Sequence, residues 1–576
     1  MNKKITSILI IVNLLLIPIM LYFKYSLNFI NPLITNISIF LMLFSLIFLI
    51  VYGILISNNS KEIYLFFIPS MIFAFLVRSI PNLVMNIQPL HDSYFYYTCT
   101  LNIIETGTIT PFLTSWYPNI NEQLQWPLMQ ILNVCLFYMT NINLTQLLKF
   151  QEPFMGVIFF LGIFILAKVT TKNDKIAIIA ALIATFTDSV IFYQAEFHPQ
   201  GFAFVLFAFL IYAFIKSRII NKMSFRLLTL IFALSFILSH HFSSIFLGLL
   251  CISYIIFIEI FSITPYIKET FKKVSGDLKK DITLFILIAV SAIAYHLYVT
   301  YSLLQNFIES SLDTSPGNAL IYVGGAVPLT ATILNSVKWI TLILALISIL
   351  WVFKTKKPNQ IRLMTFFLCI ISAGVVGQFV ISGPIDRFIG FYIVVASIFA
   401  SLTLYYWYEK PSKSRKFFPN SLTQNKKILI VTLLTTIIII SGVLNSQTPS
   451  YFFKDSGTSD FYYYSNIIPA MDEYSAAGNW MNETISTNTK DNSMFGTEFD
   501  TRIIPFYFAK VPYNNIQYAY QDPQSYKELL GDNYILINPN IPYQFSNKSD
   551  YEQFDKVYDD GNYLYSNQMI NSTENV

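Results

Sequence analysis

The sequence predicts an all-α, polytopic membrane protein of about 13 transmembrane helices with a small extracytoplasmic α/β domain at its C-terminal end. Three observations predict it. Only 12% of the 576 residues are charged, while 54% are hydrophobic and 17% aromatic. Soluble domains carry about a quarter charged residues, and one soluble core does not grow to this size with so few charges to solvate its surface. Apolar runs close to the roughly 20 residues that cross a bilayer recur along the chain. Charge also divides the sequence: residues 445–576 hold 17 Asp/Glu against 7 Lys/Arg, whereas residues 1–444 hold 16 acids and 30 bases. Residues 1–444 therefore read as a transmembrane domain and 445–576 as a domain of ordinary soluble composition. The basic excess lies in the apolar part, where it suits an anionic lipid leaflet and not nucleic acid. With 24 Pro, 20 Gly and 4 Cys, the composition excludes disordered, collagenous and disulfide-built chains.

The elements follow in order. Spans are predicted at 5–23, 32–56, 63–80, 153–169, 176–193, 201–215, 227–239, 242–261, 282–301, 330–353, 363–381, 388–406 and 428–444. The first follows Asn2-Lys3-Lys4 without a small-residue cleavage site and reads as a retained anchor. The shorter apolar run 127–139 is expected to lie on the membrane surface, as a juxtamembrane helix within loop 81–152. With the N-terminus cytoplasmic, 25 Lys and Arg fall on inner loops. Only Lys24, Arg78, Lys149 and Arg387 fall outside before the tail, while Lys338 lies within a span. That asymmetry is what the positive-inside rule requires. Three long segments then face outward, 81–152, 302–329 and the tail, and long ordered loops usually carry function.

In the tail, Met471 to Thr484 is predicted as a helix, and Asn533–Ile537 and Phe554–Tyr558 as strands. Asp560-Gly561 suits the turn of a hairpin running to Tyr565. Asn482, Asn547 and Asn571 open N-x-S/T triplets compatible with an outer location. Cys99 and Cys135 share the first outer loop, which makes them a candidate disulfide pair where geometry allows.

Ionisable residues at the membrane edge are expensive and therefore point to function. Four outer clusters stand out: His91-Asp92-Ser93-Tyr94 with Glu105 beyond it, Glu196-Phe197-His198-Pro199, Ser239-His240-His241, and Asp386-Arg387. Each has a structural alternative. Asp92 suits a helix N-cap, Glu196 a cap for the span beginning near Pro199, the histidines donors to backbone carbonyls, and Arg387 a side chain snorkelling to water. Together they place carboxylates, histidines and an arginine at the outer ends of different spans, in a chain that avoids charge there. A carboxylate beside a hydroxyl acceptor is a general base. Glu196 with His198 is a candidate ligand pair for a divalent cation, Mg²⁺ or Mn²⁺. The planar fork of Arg387 suits a phosphate. Such a set fits a reaction in which a lipid phosphate leaves.

The segment His91-Asp92-Ser93-Tyr94-Phe95-Tyr96-Tyr97 through Ile104-Glu105-Thr106-Gly107 resembles the Asp-bearing first outer loop of GT-C glycosyltransferases. Trp126-Pro127-Leu128 resembles their His-Pro-Pro-Leu segment, with the His and one Pro replaced. Val557-Tyr-Asp-Asp-Gly561 is similar to their C-terminal hairpin. The resemblance implies an enzyme that uses a polyprenyl- or dolichyl-phosphate-linked sugar and a glycan, lipid or protein acceptor at the outer face of the cell membrane. It implies Asp92 as catalytic base or acceptor-positioning group, and Glu196 with His198 as the second acidic cluster. His91, His240, His241 and Arg387 become candidates for the lipid phosphate. The chain lacks the Trp-Trp-Asp-Tyr-Gly motif of oligosaccharyltransferases, which disfavours transfer to Asn by that route. It also lacks an Asp-x-Asp in the second loop, which puts metal dependence in question. The Ile-, Asn- and Lys-rich composition suggests an archaeal source. Two other classes remain open at this point: a transporter or flippase of lipid-linked glycans, and a non-catalytic envelope protein whose tail, with 16 Tyr, binds partners.

Overall fold

The computed structural model describes residues 3–27, 32–84, 91–109, 126–195, 198–263, 265–300, 329–355, 357–381, 386–409 and 423–445. It also describes five strand segments between 495 and 566. Among the described residues there are sixteen helices. They begin with α1 (Lys3–Leu27), α2 (Pro32–Ile56), α3 (Ser60–Val84), α4 (His91–Thr106), α5 (Leu128–Thr140) and α6 (Leu144–Thr171). Next come α7 (Asp174–Thr185), α8 (Asp188–Ala195), α9 (Pro199–Ile220), α10 (Met223–Ile237) and α11 (His241–Ile263). The last are α12 (Pro265–Tyr298), α13 (Leu329–Thr355), α14 (Pro358–Ile381), α15 (Asp386–Tyr408) and α16 (Gln424–Asn445). Among the described residues, seven helices are long and apolar enough to cross a membrane, and six shorter apolar helices accompany them, including Leu128–Thr140. The protein is a multi-pass helical membrane protein. Its outward faces carry large apolar side chains such as Ile8, Leu15, Leu65, Ile68 and Leu350, all more than half exposed. That surface suits lipid tails and not water.

The chain forms two compact units, Met1–Ile80 with Phe150–Gly457 and Pro81–Lys149 with Thr458–Val576. In the first unit, lipid competes with helices for apolar contact, so close packing must hold the bundle together. Aromatic rings do much of it. Phe391 of α15 meets Phe204, Phe207, Phe236 and Phe246 at 5.0, 5.4, 5.6 and 4.5 Å between ring centroids, and each such pair contributes about 0.5–1.5 kcal/mol beyond area burial. Helix α7 lies within the core, with every residue from Ile176 to Thr185 buried.

The basic end of this bundle uses its lysines structurally. Asn173 caps α7, its side chain accepting from the N–H groups of Lys175 and Ile176. Lys175 Nζ donates to the Leu55 carbonyl at 2.7 Å and to the Tyr408 hydroxyl at 3.0 Å. Thus a cation closes the C-terminal end of α2, where carbonyls lack helical partners. Lys168 pairs with Asp174 at 2.8 Å and donates to the Tyr64 hydroxyl at 2.6 Å.

One expectation is corrected here. The predicted span 176–193 is two helices, α7 and α8, separated at Phe186 and Thr187. Arg78, one of the four bases read as outer, is fully buried.

In the second unit, α4 and α5 meet where the Tyr138 hydroxyl donates to the Ile104 carbonyl at 3.2 Å. The strands β1 (Phe495–Thr497), β2 (Ile516–Tyr518), β3 (Tyr534–Ile537), β4 (Asp555–Asp559) and β5 (Tyr563–Ser566) form a mixed sheet of order β2-β1-β3-β5-β4. β1 pairs in parallel with β2 and β3, and β5 pairs antiparallel with β3 and β4. The expected hairpin is the β4–β5 pair, with an irregular register between Lys556 and Tyr558. The helix expected at 471–484 and the loop 302–328 lie outside the described residues. Cys99 and Cys135 are both free thiols, the first buried and the second exposed, so the candidate disulfide does not form.

Candidate functional site: three helix starts and a histidine cluster

His198, Pro199 and Gln200 build the start of α9. His198 takes an extended backbone (φ −134°, ψ 128°), and Pro199 occupies the first helical turn, where its missing N–H costs nothing. The free N–H of Gln200 donates to His198 Nδ1 at 3.0 Å. His198, not Glu196, is therefore the N-cap of this helix. The cap keeps Nδ1 unprotonated and leaves the proton of the neutral ring on Nε2.

The His198 ring lies 5.7 Å from that of His240, which in turn lies 4.1 Å from that of His241. His198 and His240 are both buried. His241 opens α11, and the next residue, Phe242, packs edge-on against Phe388 at 4.6 Å. Phe388 is the third residue of α15, which begins Asp386-Arg387. The first turns of α9, α11 and α15 thus come together at one end of the bundle. Each helix start exposes backbone N–H groups and the positive end of a dipole, so their meeting point favours an anion. Ser243 and Ser244, in the first turn of α11, add buried hydroxyls to it.

Of the residues singled out from sequence, His198, His240 and His241 are brought together. Arg387 is placed in the first turn of α15, and its side chain lies outside the described set. His91 and Asp92 form the first turn of α4 in the second unit, and their side chains are likewise not described. Glu196 lies outside the described residues. Among the described residues, no group of three or more His, Cys, Asp or Glu is set to hold a metal ion. His198 has already committed Nδ1 to its cap, and imidazole suits Mg²⁺ less well than oxygen ligands do. The described residues therefore do not make a fitting cation site.

Sequence reasoning missed the polar network beside this end. Arg78 Nε and Nη2 donate to the Gln194 amide oxygen at 3.1 and 2.8 Å, and Nη2 also donates to the Thr185 carbonyl at 2.7 Å. Nη1 donates to the Ala74 carbonyl at 3.3 Å. Glu152, buried on α6, interacts electrostatically with this guanidinium. Gly156, one turn further along α6, leaves the space the arginine occupies: a Cβ there would collide with Arg78 Cδ and Nε. The available signal was an arginine near the end of an apolar run, a placement too costly to be idle.

No protein-family model matches the sequence, and no curated protein matches it. Solved structures do. One is the archaeal oligosaccharyltransferase AglB from Archaeoglobus fulgidus, in complex with an inhibitory peptide and a dolichol-phosphate. It is 10% identical with a TM-score of 0.52, over 89% of this chain and 75% of that one. Another is ArnT from Cupriavidus metallidurans in the apo state, 9% identical with a TM-score of 0.50, over 87% of this chain and 98% of that one. Both are membrane glycosyltransferases of the GT-C superfamily. At this identity the likeness is one of architecture, and the chain has the GT-C-like polytopic helical membrane fold.

Proposed function

We propose that this protein is a GT-C-type glycosyltransferase that moves a sugar from a polyprenyl- or dolichyl-phosphate carrier to an envelope glycan, lipid or protein acceptor at the extracytoplasmic face. The observation that carries the reading is the meeting of three helix starts around His198, His240 and His241, in a fold shared with a protein solved with dolichol-phosphate bound. In this reading the carrier's phosphate sits against the N–H-rich first turns of α11 and α15, with His240, His241 and Arg387 as its polar partners, and His91 stays a candidate read from the sequence. Asp92 takes the proton of the acceptor hydroxyl as that oxygen attacks the anomeric carbon. The bond from the anomeric carbon to the phosphate oxygen breaks, and the carrier phosphate leaves with the electron pair. Attack opposite the leaving phosphate inverts the anomeric configuration. The extra negative charge on the departing phosphate is what helix starts and Arg387 stabilise, and such preorganised donors act most strongly where water is excluded. Glu196 with His198 is proposed as the second acidic cluster.

The test is sugar transfer from dolichyl-phosphate-linked donors in isolated membranes. Asp92→Asn is expected to lower the rate by about 100-fold or more with normal protein levels, whereas His240→Ala raises the donor concentration needed. Undiminished transfer by Asp92→Asn removes that residue from the mechanism.

One observation favours the flippase reading: α7 and α8 form a discontinuous helix, a feature of many transporters. The break, however, is bridged by Arg78, the nineteenth residue of the candidate span Ser60–Ser79. That donor closes the free helix end with protein, whereas a transporter's broken helix presents its free end to substrate or ion. Movement of a labelled lipid-linked glycan in proteoliposomes without any transfer product would reverse the ranking.

A further inference from the structure

We infer that Arg78 is a positioning residue that splints the broken helix α7–α8 and thereby holds the start of α9, with His198, against His240. The inference rests on the proposed site, and deepens it by naming what holds it in register.

The argument runs along one continuous set of contacts inside the first unit. Helix α7 ends at Thr185 within the core; Phe186 and Thr187 donate to the Leu182, Ile183 and Ala184 carbonyls, and the Thr185 carbonyl takes its donor from another helix. A backbone break inside a membrane bundle must find its hydrogen bonds from neighbouring helices. Arg78 supplies them from α3: one guanidinium nitrogen, Nη2, reaches both the Thr185 carbonyl before the break and the Gln194 amide oxygen after it. The cation also complements the negative end of the α7 dipole. Gln194 passes the constraint on, its Nε2 donating to the Gly201 carbonyl in the first turn of α9 at 3.4 Å. Gly201 lies against the Tyr193 carbonyl so closely that a Cβ would overlap it. The Tyr193 ring then packs on His198 at 5.1 Å, and His198 on His240 at 5.7 Å. A lysine at 78 keeps the charge but lacks the planar fork that grips two acceptors at once.

The test uses disulfide cross-linking in the full-length protein in membranes, in a Cys135→Ser background. One reporter pair is His198→Cys with His240→Cys. The control pair is Phe242→Cys with Phe388→Cys, whose rings meet at 4.6 Å on helices that Arg78 does not contact. Arg78→Lys and Gln194→Ala are each expected to slow the 198–240 cross-link at least about fivefold while the control changes less than twofold. Gln194→Glu retains the oxygen that Arg78 grips but loses the Nε2 donor to the Gly201 carbonyl, so it too is expected to slow the 198–240 cross-link. Equal slowing of both pairs, or of neither, overturns the inference. Gln194→Ala retains the arginine and its bond to Thr185, so it decides the matter even where Arg78→Lys fails to fold. With the native histidines restored, Arg78→Lys is expected to raise the donor KM more than the acceptor KM. Absence of sugar transfer in the unaltered protein would sink the glycosyltransferase reading, and the cross-linking comparison would still decide the role of Arg78.

Discussion

Removing the Arg78 guanidinium would leave the Thr185 carbonyl and the Gln194 amide oxygen without this donor, cut off from solvent. A buried hydrogen-bonding group left without its partner costs about 1–3 kcal/mol. Arg78→Met should therefore lower the unfolding temperature in detergent by several degrees, and an unchanged melting curve would mean the network carries little energy. Cysteines allow a second measurement at this scale. Cys99 is buried and burial pushes its thiol pKa up, while Cys135 is exposed. Since the thiolate is the reactive form, a maleimide should label Cys135 rapidly and leave Cys99 unmodified until the protein unfolds. The histidines were legible in the sequence because an apolar chain with 5 His places His198, His240 and His241 at span ends, where hydropathy falls. The partners of Arg78 were not legible. They lie more than 100 positions away on α7 and α8, and no local pattern encodes a contact at that separation.

At the scale of elements, hydropathy located the helices well and their continuity poorly. All thirteen predicted runs fall on helices, but 176–193 is interrupted because an apolar average records partition into lipid, not the course of the backbone. The signal was present as a short polar run, Thr185, Thr187, Asp188 and Ser189, all buried around the break. Asp188 stands in the first turn of α8, where a carboxylate suits the positive helix end. The cap of α9 separates structure from chemistry at His198. Asn is a strong N-cap and Ala is not, so His198→Ala should destabilise by about 1 kcal/mol while His198→Asn retains most of the fold. If the imidazole also serves the proposed site, both variants should impair transfer, although only the first should lower stability. Normal transfer by His198→Asn would confine this residue to capping.

For the whole molecule, the sequence's charge asymmetry and the packing at the basic end meet in one testable orientation. Lys168 and Lys175 close helix ends there, and the positive-inside rule assigns that end to the cytoplasm. On that assignment the histidine end is expected to face outward, as a reaction on an extracytoplasmic lipid-linked donor requires. The pairing of loop 81–149 with the C-terminal strands in one compact unit was not readable from composition, because it joins segments more than 300 positions apart. Orientation can nevertheless be measured along the chain. Met223, exposed and directly after Lys222, marks the basic end between α9 and α10, and Cys135 marks the predicted outer segment. A membrane-impermeant maleimide applied to intact cells should label Cys135. Met223→Cys, in a Cys135→Ser background, should react only after the membrane is permeabilised. The opposite pattern would turn the three helix starts toward the cytoplasm. An anionic carrier presented on the outer leaflet would then have no route to them, and the proposed transfer at that face would fail whatever the chemistry of Asp92.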